Sequence, residues 1–319
     1  MSKIDVLSKI SEEQKEVLRI QEEKAKGAFD TVGLSDEQIR ENFNNSMIFW
    51  NEGASEMYEI QEIKVSYKNR EILTRIFYPT KNVNRENIIF YIHGGGFSCG
   101  NLDTHGRIMK EVAFNSNNIV IGIDYSLAPE NRYPTQILEC ANVYKYFIEN
   151  QEKYGLDIKK SAFMGDSAGA NISLGTTLFM RDNNYNISSL KKLMLFYGIY
   201  GMEDSVTRTL YGGPWDGLTK EDTLYYTRLY IGDKKIEEAK YFDIFSNDLK
   251  TNMPEIFLAG AEFDPLLDDS RTLFEILKEN KIPCEFNIYS GTLHVFLQYG
   301  RVMEQTRKAI IDAGKFFNK

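Results

Sequence analysis

Ser167 stands between two glycines in Phe163-Met164-Gly165-Asp166-Ser167-Ala168-Gly169, directly after a short apolar run. A serine so placed sits on a sharp turn from strand to helix that pushes its hydroxyl into the open, and glycines two residues either side let the turn pack without a clash. Alone, such a pattern is more often an ordinary turn than a reagent. Upstream, however, His93-Gly94-Gly95-Gly96-Phe97 follows the apolar run at 88–92. Consecutive glycines leave backbone N–H groups facing space that side chains would fill. When a serine attacks an ester carbonyl, donors held near 3 Å from the developing oxyanion stabilise it most. Gly94 and Gly95 are the expected donors, joined by the N–H of Ala168. A phosphate cradle would need a lysine that Phe97-Ser98-Cys99-Gly100 does not supply.

A serine hydroxyl needs a base within hydrogen-bond reach and a group to orient that base. The chain has three histidines. His93 belongs to the glycine loop and His105 lies close behind it at the expected start of a helix, which leaves His294, after a strand-like run and the Ser290-Gly291 turn, as the base. The orienting acid is expected between Ser167 and His294. Asp264 fits, in Gly260-Ala261-Glu262-Phe263-Asp264-Pro265. Glu262, Asp268 and Asp269 compete with it, and spacing does not choose among them.

These groups require a frame that brings distant loops together. Strand-like runs lie at 58–67, 72–78, 87–92, 119–124, 161–164, 192–196, 255–259 and 284–289, and helical stretches, such as 270–279, separate most of the later ones. That alternation predicts an α/β fold: a mostly parallel sheet covered on both faces, opening with an antiparallel hairpin. The first fifty residues read as helical, with capping-box spacing at Ser11/Gln14 and Ser35/Gln38 and apolar positions Phe43, Met47, Ile48 and Trp50 at helical intervals. Between the runs at 192–196 and 255–259 lies a long insertion rich in aromatics, among them Tyr200, Tyr211, Trp215, Tyr225, Tyr226 and Tyr230. Those rings suit either a pocket wall over Ser167 or plain core packing.

The 319 residues slightly exceed the roughly 250–300 at which single cores stop growing, so one domain with a small cap is expected. A net charge of −8 argues against nucleic acid, whose phosphates require concentrated Lys and Arg. The polar start of the chain has no signal-like apolar core and no run approaches the roughly 18 apolar residues of a membrane span. A cytoplasmic protein without membrane contact is expected. Cys99, Cys140 and Cys284 form neither a disulfide framework nor a metal-ligand pattern, and no metal or other cofactor is implied. The sequence leaves the oligomeric state open.

The motifs His93-Gly94-Gly95-Gly96-Phe97, Asp124-Tyr125-Ser126-Leu127-Ala128-Pro129-Glu130, Gly165-Asp166-Ser167-Ala168-Gly169 and Asp264-Pro265-Leu266 resemble the signature blocks of the hormone-sensitive-lipase family of esterases, and most closely its bacterial acetyl esterases. Shorter stretches, including Asn101-Leu102-Asp103-Thr104-His105 and Pro283-Cys284-Glu285-Phe286, extend the likeness from about residue 58 to near the C-terminus. The resemblance implies an α/β-hydrolase fold with Ser167 as nucleophile, His294 as base, Asp264 as acid, and an oxyanion hole at His93, Gly94 and Gly95. It also implies a cap built from about 1–50 and about 200–245. Ala170 departs from the further glycine of many members, a change in helix packing behind the turn.

The function so implied is hydrolysis of short-chain, acetyl-like carboxylic esters through an acyl-enzyme. Two rivals share the fold: an acyltransferase using the same triad, and a non-catalytic ligand-binding protein. The presence of Ser167, Asp264 and His294 together weighs against the second.

Overall fold

The structure, a computed structural model, describes residues 4–25, 34–213, 215 and 218–319. Parts of the expected cap (1–3, 26–33, and Pro214, Asp216 and Gly217 of the insertion) lie outside the described residues. Two helices, α1 (Glu12–Ala25) and α2 (Asp36–Asn51), precede the hairpin β1 (Glu59–Tyr67) and β2 (Arg70–Tyr78). There follow β3 (Asn84–Ile92), α3 (Gly106–Ser116), β4 (Asn118–Asp124), α4 (Thr135–Glu149), β5 (Lys160–Asp166), α5 (Ala168–Asp182) and β6 (Leu190–Phe196). The insertion carries α6 (Val206–Tyr211) and α7 (Lys220–Ile231), and the chain closes with β7 (Glu255–Ala261), α8 (Leu267–Glu279), β8 (Cys284–Tyr289) and α9 (Glu304–Asn318).

The eight strands form one sheet in the order β1-β2-β4-β3-β5-β6-β7-β8. β2 pairs antiparallel with both β1 and β4, and every later pairing is parallel. The expected hairpin and parallel sheet are both present. Helix α8 begins three residues before the expected 270, the Leu267 N–H already donating back to the Asp264 carbonyl at 3.1 Å.

The inner strands are apolar throughout, as strands buried on both faces must be. Alternation still decides which residue faces which layer: Ile88, Phe90 and Ile92 pack with Ile137 and Leu174 of α4 and α5, whereas Ile89 and Tyr91 pack with Val112 and Ile310 of α3 and α9. This two-sided burial locks the parallel register. All four chemistry-bearing loops therefore leave the same, C-terminal edge of the sheet, where open α/β sheets carry their sites.

Candidate active site

Ser167 follows β5 directly and takes φ +52°, ψ −119°, a conformation that side-chain-bearing residues rarely hold. The flanking glycines make that turn possible. A Cβ at Gly165 would lie 2.4 Å from the Gly169 carbonyl oxygen, and one at Gly169 would lie 2.1 Å from the Ile92 oxygen. The elbow thus presses against the end of β3, where the His93 loop begins.

His294 comes from the loop after β8 and Asp264 from the loop after β7. His294 Nε2 lies 2.9 Å from Ser167 Oγ, and its Nδ1 lies 2.7 Å from Asp264 Oδ2. The other oxygen of Asp264 accepts from the Leu266 N–H at 2.7 Å. Tyr197 sets its ring edge-on to His294 at 4.9 Å. Asp264 is fully buried, His294 is nearly so, and Ser167 keeps 9% exposure. With Nδ1–H donated to the carboxylate, Nε2 is the nitrogen left to face the serine.

The competing carboxylates are occupied elsewhere. Glu262 accepts from the Gly291 N–H at 2.7 Å, and Asp268 accepts from Thr207 N–H at 2.9 Å while pairing with Arg271. Asp269 accepts from Tyr200 N–H at 2.7 Å and pairs with Arg208 at 2.8 Å; burial pushes its carboxyl up to about 6 despite that partner. These two aspartates anchor the start of the insertion to α8.

The glycine loop differs from the expectation at Gly94. Its N–H donates to Asp166 Oδ1 at 2.9 Å and is not free for a substrate oxygen. The N–H groups of Gly95, Gly96 and Ala168 have no partner among the described residues. Gly95 and Gly96 hold φ values of +112° and +59°, within the region that favours glycine. His93 contributes by bracing: its carbonyl accepts from Tyr125 OH at 2.8 Å, its ring stacks on Tyr125 at 4.2 Å, and Nδ1 meets the Gly94 oxygen at 2.8 Å. Burial, with the neighbouring His105 ring, pushes His93 down to about 3, so it stays neutral.

Asp166 was visible in the serine motif without an assigned task. Its Oδ1 also accepts from Tyr91 OH at 2.6 Å, and Oδ2 faces His105 Nε2 at 3.6 Å. Burial alone would raise its carboxyl, but the facing His105 and the Tyr91 hydroxyl outweigh burial and hold it below the ordinary aspartate range. The aspartate next to the serine therefore ties the glycine loop to the elbow.

The N-terminal helices meet this edge from outside. Ser11 N–H donates to the Gly291 oxygen at 3.0 Å, and Gln14 Oε1 accepts from the Leu293 N–H at 3.1 Å. Gln14 thus turns away from the reciprocal half of the expected capping box to hold the residue before His294, whereas the Ser35/Gln38 box is complete. Arg40 of α2 donates to the Ser98 and Ala128 carbonyls. Val6 and Ile10 pack with Phe263 and Leu293, and Tyr211 and Trp215 join them, so the aromatic insertion is only part of what these segments cover. The insertion's rings divide: Tyr200 and Tyr230 are core, Tyr225 is 43% exposed, and Tyr226 lies against Gly96, where a Cβ would come within 2.5 Å of its ring.

Among the described residues no group of three or more His, Cys, Asp or Glu stands close enough to hold a metal ion, and no helix is long and apolar enough to cross a membrane. An esterase from Pyrobaculum calidifontis superposes with a TM-score of 0.85 at 25% identity, covering 97% of this chain and 98% of that one. An alpha/beta hydrolase enzyme from the metagenome of Lake Arreo, Spain, studied as a mutant, gives 0.88 at 25% identity over 98% and 100%. A thermostable esterase from Pseudomonas putida shares the fold at 0.87 with 19% identity, over 97% of each chain. A family model described as the alpha/beta hydrolase fold matches residues 89–298, and with the sheet order and the serine turn this chain belongs to that family, as its motifs' likeness to the hormone-sensitive-lipase esterases implied.

Proposed function

We propose that this protein is a carboxylic ester hydrolase working through an acyl-enzyme on Ser167. The unbroken line from Ser167 through His294 to Asp264, beside three N–H groups without a partner among the described residues, carries the reading. Ser167 Oγ attacks the ester carbonyl carbon as His294 Nε2 takes the hydroxyl proton, and Asp264 stabilises the imidazolium so formed. The carbonyl oxygen, now negative, is received by Gly95, Gly96 and Ala168. His294 returns the proton to the leaving alcohol oxygen, and the C–O bond breaks. Water then attacks the acyl-serine with His294 again as base, releasing the acid and restoring the serine.

The likeness to esterases among the superposed structures supports this chemistry. The preference for short acyl groups rests on the resemblance to bacterial acetyl esterases. Helices α1 and α2 with α6 and α7 serve as the cap, and Tyr226 on Gly96 is the contact through which it would bound the acyl site. A panel of p-nitrophenyl esters of increasing chain length, with and without acceptor alcohols, tests the whole. Hydrolysis fastest for acetyl and butyryl esters is expected; transfer to alcohol outrunning hydrolysis would replace the hydrolase with an acyltransferase.

A further inference from the structure

A cavity of about 460 Å³ opens on the face of α7 turned away from Tyr226, between α6, α7 and the segment 232–242. None of the triad lines it, although Pro265 does. Its walls are mixed in a particular way. Ile199, Ile231 and Phe242 are buried apolar side chains, and around them stand Arg208, Lys220, Arg228, Lys234 and Lys235 against only Glu203 and Glu237. Asp269 and Asp204 pair with Arg208 and Lys220, and Arg228, Lys234 and Lys235 against Glu203 and Glu237 leave a small positive excess on a chain of net charge −8.

Arg208 is the inner cation. Its side chain is 6% exposed, one guanidinium nitrogen pairs with Asp269, and Nε is buried without a partner among the described residues. Lys220 pairs with Asp204 at 3.4 Å, while Arg228, Lys234 and Lys235 form no ion pair among the described residues. A buried donor without an acceptor costs free energy that a fitting ligand recovers. Ringed cations at a pocket mouth raise the local concentration of anions.

We propose that this cavity binds a small amphipathic carboxylate, its head group on Arg208 and its aliphatic tail on Ile199, Ile231 and Phe242. A guanidinium fork matches a carboxylate, and the apolar walls suit a short chain better than a fully hydrated inorganic anion. The inference goes beyond the hydrolytic reading and is independent of it.

The test is equilibrium dialysis of radiolabelled hexanoate against the full chain carrying Ser167→Ala, which separates binding from turnover. One saturable site with a Kd near or below about 1 mM is expected. Adding Arg208→Gln should weaken it at least about tenfold, and hexan-1-ol should displace the label at least about tenfold less well than unlabelled hexanoate. The exposed pair Arg228→Glu/Lys235→Glu should weaken binding about threefold or more, and it decides alone where Arg208→Gln does not fold. Absence of saturable binding in the millimolar range, or a Kd unchanged in the deciding variant, overturns the proposal.

Discussion

Gly169→Ala adds one methyl group at the point where the serine elbow meets the glycine loop. The new Cβ would stand 2.1 Å from the Ile92 oxygen and 2.5 Å from the His93 oxygen, both backbone atoms with no rotamer to change. Carbon and oxygen settle no closer than roughly 3.3 Å, so helix α5 and the end of β3 must part by roughly 1 Å. The displaced segment carries Gly95 and Gly96, while Ser167 and Ala168 move with the helix, so the donors separate from the point of attack. Oxyanion donors act at about 2.7–3.1 Å, and a 1 Å misplacement can cost about 10²-fold. We therefore expect kcat on p-nitrophenyl acetate to fall about 10²- to 10³-fold with KM changed little, and stability to fall by about 1–3 kcal/mol from overpacking. Steady-state kinetics with a urea melt reads both. A folded Gly169→Ala protein within threefold of parental kcat would show that the loop is not held by this contact.

Asp264→Asn is expected to lower kcat by about 10³-fold or more, because the amide no longer stabilises the imidazolium, whereas Asp268→Asn should stay within about tenfold of the parent; the same kinetics distinguishes them. Gln14→Ala leaves the buried Leu293 N–H unpaired, so chemical denaturation should show a loss of about 1–3 kcal/mol together with a reduced kcat. Burial holds His93 down to about 3 in the folded protein, so between that pH and about 6.5 the unfolded chain binds the extra proton and stability falls as pH falls. From pH 6.5 to 5 this amounts to about 2 kcal/mol, and urea melts of His93→Asn should show that much less loss. Comparing the two proteins cancels the opposite slope of Asp269, whose raised carboxyl favours the folded state on the acid side.

The strand runs were legible because two-sided burial forces near-continuous apolar segments, and the serine turn because glycine alone fits where Gly165 and Gly169 approach backbone. The choice among Glu262, Asp264, Asp268 and Asp269 was not: four carboxylates within eight residues differ only in what faces them across the fold. Gly94 misled for the same reason. A glycine run announces exposed N–H groups but not that Asp166, seventy-two positions later, takes one of them once β3 and β5 pair. Gln14 read as a capping residue because local spacing carries no trace of the β8 loop that borrows its side chain. The tyrosines of α7 divided between core (Tyr230), the Gly96 loop (Tyr226) and solvent (Tyr225) according to the helix's rotation, which their type does not encode.

The most direct measurement is covalent labelling with a fluorophosphonate followed by peptide mapping. A single adduct on the peptide bearing Ser167, formed far more slowly in His294→Ala, with loss of ester hydrolysis in step with labelling, is the predicted result. An adduct on another residue, or full hydrolysis by a protein quantitatively labelled at Ser167, would contradict the account.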